Sequence, residues 1–372
     1  MAAADPTYPL YPVVCFISTT MLCLVLLTSF ARRNMNLGVC FLCFWLLIEN
    51  LFLGSKAIIW ADNADIKLYV FCDIGTRIQV LTSVVKPMAT LILTRRLYLI
   101  TSLRSVDALS SSKAKRKDRL IEWTLGLVIP IIVAGPFYYI VQGARFEVNE
   151  GFGCLNAQDN SGLEMLLVQS WNVVPPLLSI TMYYPRVAWI FYRQNRDINQ
   201  FLRSNESVSR NHYVRILILA SIDILFTLPI GIVDIVLTLK ALLEVSPVFY
   251  PGWSADHNNW DPISISYADF KTFGTASIAQ FFVSQWSSPL LGLIVFGLFG
   301  ATREARASYW SVVCTVGGWF GWRPTSSNKC SKRSTLGDIE FGEGPQQVSL
   351  DLEIGSQHSH IGTSTQLQEK KD

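Results

Sequence analysis

Residues 273–299 read FGTASIAQFFVSQWSSPLLGLIVFGLF, a run without one charged side chain. A helix rises 1.5 Å per residue, so about 30 Å of hydrocarbon is crossed by about 20 mostly apolar residues, and this run exceeds that length. Residues 10–30, LYPVVCFISTTMLCLVLLTSF, are equally free of charge. Between these two, the windows 37–60, 68–93, 120–141, 163–192 and 214–243 also reach membrane length. Trp60, Trp123 and Trp189 stand near window ends, where indole rings favour the headgroup level. The alternating ten-residue segments of a membrane β-barrel do not occur. The predicted fold class is therefore all-α, a seven-transmembrane helix bundle. Its first window is expected to be retained as an anchor, because no Lys or Arg precedes it and it is too long for a signal h-region.

Composition agrees. Of 372 residues only 16% are charged, against about 25% in a soluble domain, and 12 of the charges lie in 324–372. These features exclude a soluble enzyme and a wholly disordered chain. The net charge of +3 is small and its basic residues are spread along loops, which excludes a nucleic-acid partner. The expected organisation is a short extracellular N-terminus (1–9), the bundle (10–299), an interfacial juxtamembrane segment (300–323) and a disordered cytoplasmic tail (324–372). The tail is rich in Ser, Thr, Gly and Gln without periodicity.

Lys and Arg set the expected sidedness. The connections 32–36, 94–119, 193–213 and 300–323 hold seventeen of them, whereas 1–9, 61–67, 142–162 and 244–272 hold three. Basic loops stay cytoplasmic, which places the N-terminus outside. The outer connections carry ten carboxylates, so that face is acidic. The basic 94–119 segment fits either attraction to anionic membrane lipid or docking of an acidic cytoplasmic partner. With this topology only Cys72 and Cys154 face an oxidising compartment, so one disulfide is available to them, the alternative being two free thiols.

Charges at bilayer depth are costly and normally face the bundle interior with partners. Ordered by depth, Lys56, Asp73, Arg77 and Asp234 form an outer layer, while Glu49, Lys86, Asp223 and Arg186 lie from the middle inward. One reading gives the outer layer to a ligand and the inner layer to a lock that exchanges partners. The other has all eight pair and fix helix register, with Asp73 and Arg77 as a local i,i+4 pair. Prolines at 130, 136, 175, 176, 229 and 289 predict kinks in spans four to seven. Beside them, Gln169-Ser170-Trp171-Asn172 and Gln280-Phe281-Phe282 mix amides with aromatics, which suits either a cavity wall or packing. No histidine lies in a span, and the zinc-protease, phosphate-loop and nucleophile-elbow motifs are missing, so neither catalysis, a metal nor a cofactor is expected.

Motifs spread over roughly 9–310 resemble the fungal a-factor-type mating-pheromone receptors, the class D G-protein-coupled receptors. They are Pro12-Val13-Val14, Arg33-Asn34-Met35-Asn36-Leu37-Gly38, Trp45 with Asn50, Cys72-Asp73 with Thr76-Arg77, and Arg95-Arg96-Leu97-Tyr98. Gly153-Cys154, Trp286 with Pro289, Phe296-Gly297-Leu298-Phe299-Gly300 and Glu304-Ala305 complete the series. The resemblance implies a multi-pass plasma-membrane receptor for a farnesylated, carboxymethylated peptide pheromone. It would act through a heterotrimeric G protein and a MAP-kinase cascade. With that reading, Asp73, Arg77, Trp171, Asn172, Asp234 and Gln280 are the expected ligand-binding residues, and Arg95, Arg96 and Arg193 the G-protein-facing ones. A homodimer is compatible with the sequence. The competing class is a transporter or channel whose intramembrane charges line a pathway.

Overall fold

The computed structural model describes residues 5–31, 36–103, 112–187, 207–245, 249–258 and 260–302, together with 189, 305, 306 and 309. Arg193, residues 104–111 within the basic 94–119 segment, nearly all of 303–323 and the whole of 324–372 lie outside the described residues.

Among the described residues seven long helices follow one another: α1 Leu10–Ala31, α2 Leu37–Ile59, α3 Tyr69–Leu103, α4 over 112–140, α5 Gly162–Val187, α6 Ser207–Val245 and α7 Thr275–Gly300. Among the described residues, six are both long and apolar enough to cross a membrane, and α3 is the exception. It carries Asp73, Arg77, Lys86, Arg95 and Arg96, yet its segment 84–94 is buried without interruption. The reason is position. α3 packs against α2, α4, α5 and α6, so its polar groups meet protein rather than lipid. The outer helices show the reverse pattern. In α2, Leu42, Leu46, Glu49, Leu53, Lys56 and Ala57 recur at helical spacing on a buried face, while Phe44, Leu51 and Ile58 are exposed. Exposed Val13, Ile17, Leu27 and Phe30 on α1 and Leu225, Val236, Leu239 and Leu243 on α6 extend this apolar exterior. An apolar surface so continuous fits hydrocarbon as its solvent.

The expected windows end short of two helices. α3 continues ten residues past 93 and α4 starts at 112, because the two are joined beyond the apolar zone by an ion pair, Arg95 Nη2 to Asp118 Oδ1 at 2.5 Å. Arg96 also donates to Asn36 Oδ1 at 3.3 Å, and the same oxygen caps α2 through the Gly38 amide. The prolines act unevenly. α4 and α5 widen into π turns at Thr124–Val128 before Pro130, at Val133–Phe137 around Pro136 and at Ser179–Tyr183 after Pro175-Pro176, and α5 has a further one at Met165–Gln169 away from any proline. α6 and α7 stay α-helical through Pro229 and Pro289.

The connections α2–α3, α4–α5 and α6–α7 meet at one end. There β1 Glu147–Asn149 pairs antiparallel with β2 Gly153–Leu155, and β3 Ile263–Ile265 joins β1 in parallel, giving the order β2-β1-β3. Gly151 donates its amide to Trp60 O at 2.8 Å, and Ser264 Oγ donates to Ala64 O at 2.7 Å, so all three connections interlock. Cys72 at the start of α3 and Cys154 in β2 form a disulfide with Cα atoms 5.5 Å apart. At the opposite end, Leu22, Val25, Leu42, Leu46, Ala89, Leu93, Ile216, Leu219, Leu291 and Val295 pack into one apolar core joining α1, α2, α3, α6 and α7.

Candidate ligand cavity

Between this apolar core and the sheet lies a cavity of about 690 Å³, lined by α2, α3, α5, α6 and α7 and roofed by the β1–β2 hairpin. The roof is fixed by main-chain and side-chain contacts together. Cys154 O accepts from Lys56 Nζ (3.1 Å) on α2 and from Gln79 Nε2 (3.1 Å) on α3. Gly153 fits here because its φ is +76° and an added Cβ would stand 2.9 Å from both Lys56 and Trp60. Glu147, Asn149 and Leu155 of the two strands face the cavity. Burial pushes the Glu147 carboxyl above its ordinary range.

The floor is ionic. Lys86 Nζ sits 3.1 Å from Glu49 Oε2 and donates to Ser288 Oγ at 2.5 Å, which ties α3 to α2 and α7. Asp223 of α6, fully buried, accepts on Oδ2 from the Thr90 hydroxyl of α3, while its Oδ1 has no hydrogen-bond partner. The walls combine amides with hydrocarbon. Gln280 Nε2 donates to Asp234 Oδ1 (2.8 Å) and Ile230 O (3.3 Å), bridging α7 to α6, and Asn172 stands on α5. Phe226, Phe270, Phe273 and Phe281 supply apolar wall. Phe152 of the hairpin turn meets Phe270, Phe281 and Phe282 at 5.7, 4.9 and 5.4 Å between centroids, closing an aromatic cluster beside the cavity.

The structure thus brings Asn172, Asp234 and Gln280 into one cavity with Glu49, Lys86 and Asp223, although depth alone had set Asp234 in a layer apart from the last three. Asp73, Arg77 and Trp171 do not line it. Asp73 forms a two-toothed ion pair with Arg145 (2.9 and 2.6 Å) rather than a local pair with Arg77. Arg77 turns to α4, donating to Ala134 O (3.1 Å) and Gln142 Oε1 (2.7 Å) with its guanidinium 4.5 Å over the Tyr138 ring. Trp171 packs among Val84, Met88, Leu91 and Val133 and donates its indole N–H to Leu167 O. Arg186 is exposed, 5.8 Å over the Tyr98 ring, and does not join Glu49, Lys86 and Asp223. Phe152, Phe270 and Phe273 were missed in the sequence. Their only signal was aromatic density in two outer loops.

Among the described residues no cluster of His, Cys, Asp or Glu has metal-binding geometry. The arrangement can hold an amphiphile, with apolar groups against the phenylalanines and polar groups against the amides and carboxylates.

Comparison with known proteins gives one consistent result. The sequence profile described as pheromone A receptor matches residues 10–317. The chain is 31% identical over 306 residues to the pheromone B alpha 2 receptor of Schizophyllum commune, covering 82% of this chain and 46% of that protein. It is 27% identical over 279 residues to pheromone receptor 1 of Mycosarcoma maydis, covering 74% and 76%. It is 24% identical over 266 residues to the pheromone M-factor receptor of Schizosaccharomyces pombe, covering 66% and 69%. The chain spans about half the length of the Schizophyllum receptors that it matches.

Proposed function

The chain belongs to the pheromone A receptor family, and from that premise we propose that it is a plasma-membrane receptor for a lipidated peptide pheromone. In this reading the N-terminus and the sheet end face outward, and the ligand is a farnesylated, carboxymethylated peptide. Activation passes to a heterotrimeric G protein and on to a MAP-kinase cascade. The observation that carries the reading is the cavity, which offers aromatic wall for hydrocarbon beside amides and carboxylates for peptide groups. Asn172, Asp234 and Gln280 are its ligand-facing members. Asp73, Arg77 and Trp171 would act one step removed, by holding α3, α4, α5 and the hairpin in place.

At the far end, Arg95, Arg96 and Arg193 would face the G protein. Arg95 and Arg96 are held by Asp118 and Asn36 here, so docking would exchange those partners for the G protein. The apolar core beneath the cavity favours a receptor over a transporter or channel. Full-length protein in lipid nanodiscs with a heterotrimeric G protein tests the reading. Nucleotide exchange stimulated by farnesylated peptide is the expected result. Solute flux in liposomes without a G protein, and no peptide-stimulated exchange, would replace receptor by transporter.

A further inference from the structure

The charges that line the cavity do not balance. Glu49, Glu147, Asp223 and Asp234 face it against a single base, Lys86. Lys86 is already committed to Glu49 and Ser288. Lys56, the other base at this depth, turns its ammonium to Cys154 O and does not line the cavity. Arg77 is engaged on α4. Asp234 is met only by the neutral Gln280 amide, and neither it nor Glu147 has an ion pair among the described residues. The sharpest imbalance is deep. Asp223 is 0% exposed and its Oδ1 lacks any donor, although buried carboxylate oxygens are normally satisfied. A concave, low-dielectric site lined by one sign of charge focuses its potential and draws in the opposite sign.

We propose that this cavity selects peptides bearing a cationic group, an amine or guanidinium, which is drawn past Glu147 and Asp234 and seated on Asp223 Oδ1. The assignment rests on the receptor reading above and adds the charge of the ligand to it. A neutral peptide leaves Asp223 Oδ1 unpaired, and an anionic one meets repulsion from four carboxylates that outnumber the single lining base. The lipid contributes affinity through the phenylalanine wall, whereas the cation decides which peptide is accepted.

The test uses the full chain in nanodiscs and a fluorescent farnesyl-cysteine methyl ester as reporter. Competitors are S-farnesylated, methyl-esterified peptides, all N-acetylated, that differ only in lysine, norleucine or glutamate at one position scanned along the chain. At the best position lysine is expected to displace the reporter at a concentration at least about thirtyfold below norleucine, with glutamate weaker still. Asp223→Asn should remove that preference, and Asp234→Lys should turn it toward glutamate. Equal displacement by all three side chains in the unaltered receptor overturns the proposal without reference to any variant's folding. So does a lysine preference that survives Asp223→Asn in protein of unchanged melting temperature. If no peptide of any charge competes or stimulates nucleotide exchange, the receptor reading itself falls and this inference with it.

Discussion

Replacing Lys86 by methionine tests how the floor of the cavity is held. The ammonium lies 3.1 Å from Glu49 Oε2, with side chains only 11% and 8% exposed. At an effective dielectric of about 20 that separation corresponds to about 5 kcal/mol of attraction, most of it offset by the desolvation of both groups. The two perturbations therefore differ. Lys86→Met alone leaves a carboxylate buried without its partner and also strips Ser288 Oγ of its 2.5 Å donor. A loss of about 3–5 kcal/mol is expected. Glu49→Gln with Lys86→Met removes both charges at nearly constant volume and should cost less than Lys86→Met alone. The assay is reversible unfolding in mixed micelles titrated with SDS, for wild type, both single variants and the double variant. Their cycle should give a coupling of about 2 kcal/mol or more. A coupling within about 0.5 kcal/mol of zero would refute the argument, since Glu49 and Lys86 would then be independently satisfied.

Three further outcomes are expected. Removing the disulfide with Cys72→Ser and Cys154→Ser opens a link across 82 residues. Loop entropy sets an upper bound of about 4.5 kcal/mol, lowered because helices persist in the unfolded membrane state, and the loss should appear as a lower melting temperature and lower surface expression. Gly153→Ala puts a Cβ at positive φ, 2.9 Å from Lys56 and Trp60, and should destabilise by about 1–3 kcal/mol, whereas the same change at Gly252, with open space around it, should cost less. Burial, helped by Asp256, lifts the Asp159 carboxyl to about 6. An acid with a raised folded pKa binds its proton more tightly when folded, so stability is full below about pH 4 and declines as pH rises through 6. Asp159→Asn should thus raise the melting temperature at pH 7.5 and leave it unchanged at pH 4.

Hydropathy and charge made the bundle legible, and the ordered motifs from Pro12 to Ala305 carried a family resemblance that the profile match over 10–317 bears out. Position along its helix was legible for each intramembrane charge, because it is only a count of residues. Facing was not. Asp73 and Arg77 share one side of α3 by spacing, yet their partners Arg145 and Gln142 come from a loop whose path depends on the hairpin. The hairpin was invisible for its own reason: three-residue strands leave no periodic signature, and β1 pairs with β3 across more than a hundred residues. The extension of α3 to Leu103 escaped notice because its support, Asp118 and Asn36, is tertiary. Asn172, Asp234 and Gln280, which line the cavity, stood out because amides and acids inside apolar helices are rare.

A single peptide unit at Cys154 has implications for access. Its sulfur is welded to α3 and its carbonyl is gripped from α2 and α3 at once, so the vault above the chamber cannot swing like a trapdoor without dragging two pillars along. By contrast, among the described residues α6 and α7 are linked at this level by one side chain, the Gln280 amide on Asp234 Oδ1 and Ile230 O.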